Sequence, residues 1–191
     1  METFRIKTEQ NSPQKVQRKF VWVEAFLRIL GIAATLISIG LMVTSNQTTL
    51  YFNLQFVAKY SYSPAFKYFV AANAIACFFS VVSLFLVLIY CLKPSNNSDQ
   101  KKYFIIFLID LIATVFELPG CAAATSIGYL GLYGNEHTGW MAICDQFGKF
   151  CHKTMVSILI AYVASLLFLF LTIWSAWKST KSQQPPPPSM Y

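Results

Sequence analysis

Four ionisable side chains stand inside otherwise apolar runs of this sequence: Glu24, Arg28, Asp110 and Glu117. Charged groups in hydrocarbon do one of two kinds of work, tying helices together as ion pairs or relaying protons and ions. At about 1.5 Å per helical residue, Arg28 lies about 9 Å past Trp22 and Asp110 about 10 Å past Tyr103, so the two share one depth if their segments run in the same direction. An uncompensated charge there costs at least ~2.5 to 3.5 kcal/mol, which makes a pair the economical arrangement. Glu24, one turn before Arg28, competes as its partner, and Glu117 lies seven residues beyond Asp110 on the same helical face. A structural tie between Arg28 and Asp110 is the preferred reading. A proton or ion path through Asp110 and Glu117 is the alternative.

A second group of reactive side chains is Cys144, Cys151 and His152, with His137 upstream. In an oxidising compartment the two thiols pair, closing a short ring and stabilising the loop by roughly 2.5 kcal/mol on the chain-entropy estimate. A zinc site using the histidines is the competing chemistry, but the spacing fits no standard set of ligands. No Ser, His and Asp constellation and no Gly-rich phosphate loop is readable, so neither an enzyme nor a cofactor or metal is expected. Asn46 opens an Asn46-Gln47-Thr48 sequon and is a glycosylation candidate if it faces outward.

The elements that must hold these groups follow from composition. Of 191 residues, 55% are apolar and 12% charged. That is about half the usual charged share, which argues against disorder and against a soluble domain. Four stretches are long enough to cross a ~30 Å hydrocarbon core: 22–44, 69–92, 104–130 and 155–177. They read as an all-α, four-transmembrane-helix bundle, because the runs from Val81 to Leu92 and from Ile158 to Trp174 have almost no polar face. Residues 1–21 and 178–191 are then tails, and the first span serves as its own signal-anchor.

The net charge of +7 would suggest nucleic acid in a soluble protein. Here it belongs to topology, and no nucleic-acid partner is expected. Arg5, Lys7, Lys15, Arg18, Lys19, Lys93, Lys101, Lys102, Lys178 and Lys181 fall on one side, against Lys59, Lys67, Lys149 and Lys153 on the other. The positive-inside rule then makes both termini cytoplasmic and puts both long loops outside, Asn46 and the cysteine pair with them. Asn96-Asn97-Ser98 is cytoplasmic and is discounted as a sequon. Cys77, Cys91 and Cys121 lie in spans as small apolar fillers, Cys91 at the inner edge being an occasional type of palmitoylation site.

In the first loop, Leu50, Phe52, Leu54 and Phe56 alternate with Tyr51, Asn53 and Gln55, a period of two that predicts a short strand. The aromatics around them, Tyr60, Tyr62, Phe66 and Tyr68 included, suit an interfacial belt, with recognition of an outside partner as the other use. Small residues recur every four positions, Gly120, Ala124 and Gly128 on the third span and Ala72, Ala76 and Ser80 on the second. Such stripes imply close helix packing, within the bundle or between copies. Pro119 removes a helix hydrogen bond to Val115 and predicts a kink. The tail 185–188 is a run of four prolines, read as unstructured, with a polyproline ligand for an SH3-like or WW-like groove as the alternative.

The run from Tyr62 to Ala72, the run from Tyr129 to His137 with Trp140, and Cys144 to Cys151 resemble the Casparian strip membrane domain protein-like (CASP-like) family of plants. The resemblance extends from about Val23 to Trp177 and includes that family's Arg in the first span, here Arg28, and Asp in the third, here Asp110. It implies a MARVEL-related, four-span protein of the plasma membrane that forms homo- and hetero-oligomers with itself and family members. Its best-known members build an immobile scaffold that guides local cell-wall modification, which adds outside wall-modifying proteins as partners. Strip-forming members carry an acidic, Phe-rich block ahead of the second span. Residues 48–56 lack its acidic residue and its Pro, so this chain is similar to the broader CASP-like group.

Overall fold

The computed structural model describes residues 12–51, 54–92 and 99–181. Four long helices account for most of them: α1 (Ser12–Val43), α2 (Pro64–Leu92), α3 (Asp99–Tyr133) and α4 (Gly148–Lys181). Each carries a stretch long and apolar enough to cross a membrane, Val21–Val43, Pro64–Tyr90, Lys101–Tyr133 and Gly148–Thr180. Helices are what hydrocarbon permits, since every backbone donor and acceptor must be satisfied within the segment. Consecutive helices pack side by side and α4 closes back on α1, giving a ring in which α1 faces α3 across the middle.

Local sequence explains where the helices start and stop. Pro64 opens α2 at the position where a missing N–H costs nothing, and the Ser63 carbonyl accepts from Lys67 N at 3.1 Å. Gly134 closes α3 in the left-handed region, at φ +68°, with its N–H on the Leu130 carbonyl. A Cβ there would stand 2.6 Å from the Trp140 carbonyl oxygen, so glycine is required twice over.

Two expectations need adjusting. The helices outrun the expected spans at most ends: α1 begins within the stretch read as a tail, α2 starts at Pro64 and not near Phe69, and α4 starts at Gly148 and not near Met155. Hydropathy misses these ends because Lys67, Lys149, His152 and Lys153 are exposed, while Phe66, Phe69 and Phe150 on the same turns are buried. The single strand expected in the first loop is an antiparallel hairpin, β1 (Asn46–Tyr51) with β2 (Leu54–Lys59), in which Tyr51 pairs with Leu54 and Asn46 with Lys59. The alternation of apolar residues runs through the reversal, so periodicity could not mark the turn. Pro119 is accommodated within α3, which runs from Asp99 to Tyr133, and its ring sits on the exposed side.

The interior holds two apolar clusters, one near the loops around Met42, Phe66, Phe69 and Phe150, the other around Ala113, Phe168 and Leu171. Gly31 makes room for the second, since a Cβ there would lie 2.7 Å from the Phe168 ring. Polar side chains are also inside, among them Thr35, Ser38, Asn73, Ser83 and Ser157, while large apolar residues such as Phe26, Leu166 and Ile173 face outward. That is the inversion expected where the solvent is lipid.

Candidate functional site

Glu24 and Arg28 lie one helical turn apart on α1, so both point the same way, into the ring of helices. The guanidinium of Arg28 reaches across to α3 and grips Asp110 with both ends, Nη1 donating to Oδ1 at 2.6 Å and Nη2 to Oδ2 at 2.8 Å. A planar fork on a planar carboxylate is the strongest geometry available to this pair. From α2, Ser83 Oγ accepts from Arg28 Nη1 at 2.6 Å and donates to Asp110 Oδ1 at 2.8 Å. From α4, Ser175 Oγ donates to Asp110 Oδ2 at 3.4 Å. Arg28 Nη2 also donates to Glu24 Oε1 at 3.2 Å, and Lys178 Nζ of α4 donates to Glu24 Oε2 at 2.5 Å.

All four helices therefore meet in one cluster of two acids and two bases, with no formal net charge when all are ionised. Arg28 is fully buried, and Glu24 and Asp110 are each 4% exposed. The pair joins α1 to α3, the helices that face each other across the middle, so it acts where side-by-side packing is weakest. Lys178 is one-fifth exposed and lies over the rings of Tyr103 and Trp174, placing it at the edge of the bundle with its charge directed inward.

Glu117 does not join this cluster. It is fully buried on α3, and neither carboxyl oxygen has a hydrogen-bond partner. Two antiparallel contacts set the register of α2 on α3: Ser83 on Asp110, and Ala72 beneath Gly120. Glu117 is then level with Ala76, one turn from Ser80 and from Asn73, whose Oγ and Oδ1 are likewise without partners.

The small-residue stripes face inward. A Cβ on Gly120 would lie 2.8 Å from the Cβ of Ala72, and Ala72, Ala76, Ser80 and Ala124 are buried. Gly128 is looser, with Ile158 3.7 Å from where a Cβ would be. Gly120, Ala72, Ala76, Ser80 and Ala124 pack helices of the same chain.

Cys144 and Cys151 form a disulfide, with Cα atoms 5.7 Å apart. It pins the loop after α3 to the start of α4, and the Ile143 and Cys144 N–H groups both donate to the Gly131 carbonyl. His137 and His152 are exposed, and among the described residues no group of three His, Cys, Asp or Glu side chains could hold a metal. Asn46 is exposed on β1, a few residues past the end of α1. Gln47 Oε1 next to it accepts from Phe150 N at 2.9 Å and ties the hairpin to α4. Cys91, Asn96 and the proline run fall outside the residues whose side chains are described.

Sequence reading missed the partners of the cluster. Lys178 enters the sequence reading for topology alone, and Ser83 and Ser175 do not enter it. The missed signal was polarity itself: the buried hydroxyls pair across elements, Ser38 with Ser157, Ser45 with Thr154, and Thr114 with Thr172.

A ring of four membrane-length helices locked by a central, electroneutral ion cluster defines a multi-pass membrane protein of the four-helix type. The Casparian strip membrane protein domain model matches residues 17–167, and the chain belongs to that family. It is 45% identical to CASP-like protein 1F1 of Ricinus communis over 91% of this chain and 96% of that protein. Against CASP-like protein 1F2 of Populus trichocarpa it is 47% identical, over 96% and 99%. CASP-like protein 1F1 of Vitis vinifera is 47% identical over 91% of this chain and 82% of its own length. No solved structure matches the chain.

Proposed function

We propose that this protein is a plasma-membrane scaffold that associates with itself and with related family members, organises a membrane domain, and supports local modification of the cell wall through partners outside. Both termini lie in the cytoplasm, and the hairpin and disulfide loop lie outside, on the distribution of Lys and Arg. One observation carries the reading: the intramembrane charges Arg28, Asp110, Glu24 and Lys178 are bound to one another, which serves rigidity rather than turnover. Membership of the family supports the same assignment. The reading is of a structural protein and not an enzyme.

Photobleaching recovery of a tagged protein in plant plasma membrane tests it. Slow recovery, together with chemical crosslinking to a second copy or a family member, is expected. Recovery at the rate of a free four-span protein with no crosslinked species would count against it.

Passage of protons or ions through Asp110 and Glu117 is the second reading, and the unpartnered carboxyl of Glu117 favours it. Flux into liposomes that Glu117→Gln abolishes would support it. Flux indistinguishable from empty liposomes would set it aside.

A further inference from the structure

Between α3, α4 and the disulfide loop lies a groove of about 230 Å³ with an almost wholly apolar lining. Its floor is buried, formed by Phe66, Phe150 and Ile158, and its rim is exposed, formed by Met155, Leu159 and Tyr129. Met155 and Leu159 belong to the apolar span of α4, so the mouth opens sideways at membrane depth, toward hydrocarbon rather than water. The outer end is capped by Ile143 and by the Cys144–Cys151 bridge.

The two glycines lining this groove differ from the others in α1 and α3 that pack tightly. Gly31 and Gly120 are sterically required, since a Cβ would approach Phe168 or Ala72 to 2.7 and 2.8 Å. At Gly128 and Gly131 a Cβ would meet Ile158 or Cys144 at 3.7 or 3.6 Å, ordinary contact, and neither backbone is in the left-handed region. Glycine within a helix weakens it relative to alanine, and no protein contact here demands it. What the two glycines preserve is the space itself.

Apolar space beside a helix loses dispersion contacts unless something fills it. The polar atoms at the wall make no demand on a ligand. Thr125 Oγ1 donates to the Cys121 carbonyl and shares a hydrogen bond with Tyr162 Oη, and Thr154 Oγ1 is paired with Ser45. We infer that the groove is a site for one acyl chain of a bilayer lipid, held under the disulfide loop in the leaflet that carries the loops. Its volume is below the roughly 300–1,000 Å³ typical of sites for drug-sized ligands, which suits one slender chain better than a rigid fused-ring sterol. The role is independent of the scaffold assignment and of the ion cluster.

The full-length protein in phosphatidylcholine nanodiscs, doped with a phosphatidylcholine whose acyl chain carries a diazirine, provides the test. After irradiation, adducts should concentrate on peptides containing residues 125–132 and 155–162, several-fold above those containing Leu166 and Ile173 on the open lipid face. Gly128→Leu fills the groove from its wall and Met155→Trp from its rim, and both should lower those adducts several-fold while leaving labelling at Ile173 unchanged. Intact Cys144–Cys151 linkage in each variant shows that the fold is kept, and Met155→Trp alone suffices if Gly128→Leu fails to fold. Labelling spread evenly along the lipid-facing residues, undiminished labelling in a folded, filled variant, or displacement of the label by a plant sterol would each overturn the assignment.

Discussion

At Arg28 the bilayer imposes a choice that water does not. A lone guanidinium at that depth has no solvent to turn to, so its affinity for Asp110 is set by what either group would lose alone. Replacing such a pair with apolar residues of similar size is often neutral, whereas removing one partner strands the other. Lys178 stands differently, at the edge of the cluster and one-fifth exposed. Lys178→Met should therefore lower thermal stability in bilayers by clearly less than Arg28→Leu does, and equal losses would show that Glu24 depends on Lys178 as fully as Asp110 depends on Arg28. The glycines separate just as cleanly. Gly120→Ala forces its methyl to within 2.8 Å of Ala72 and should cost about 1–3 kcal/mol as overpacking, while Gly128→Ala should be neutral or slightly stabilising. Unfolding of the two variants side by side checks this, and a harmless Gly120→Ala would mean that α2 and α3 are not held as closely as they appear.

Helices α1 and α4 are joined by a reciprocal pair of hydroxyls, Ser38 Oγ donating to the Ser157 carbonyl at 3.0 Å and Ser157 Oγ to the Ser38 carbonyl at 2.8 Å. Each such bond is worth about 0.6 kcal/mol in membrane proteins, so Ser38→Ala with Ser157→Ala should cost only on the order of 1 kcal/mol, readable as a small shift in melting temperature. The disulfide is the stronger fastening at this scale. Cys144→Ser with Cys151→Ser should loosen the loop by roughly 2.5 kcal/mol, seen as faster hydrogen exchange at the backbone amides of positions 143 and 144 without unfolding of the spans. Exchange unchanged from the wild type would show that the Gly131 carbonyl holds the loop unaided. Much at this level was legible in advance. Four spans follow from apolar runs that no polar face interrupts, and the Cys144 to Cys151 ring from its shortness and compartment. The hairpin's reversal was hidden, because alternation continues through it. The helix ends were hidden too, because Phe150 and Lys149 average to a neutral hydropathy although one faces the core and the other does not.

Taken whole, the molecule buries Arg28, Asp110 and Glu117 within the bundle, packs Ala72, Ala76 and Ala124 between helices, and turns bulky apolar residues such as Phe26, Leu166 and Ile173 outward. The depth match between Arg28 and Asp110 was readable from residue counting, since both α1 and α3 leave the same side of the membrane. Lys178, Ser83 and Ser175 were not, because which side of an apolar helix faces inward depends on neighbours that single-sequence periodicity cannot see. Topology is open to a direct check: cysteine-reactive or protease-sensitive tags at either terminus should be reached from the cytoplasmic face alone, and access from outside would reverse the orientation. The claim on which the rest depends is that Arg28 and Asp110 serve to hold α1 to α3. A double-mutant cycle on unfolding in lipid bilayers, using Arg28→Leu, Asp110→Leu and both together, isolates that coupling. The account predicts a loss of about 3–5 kcal/mol for each single variant and a smaller loss for the pair. Single losses that simply add in the double variant would contradict it.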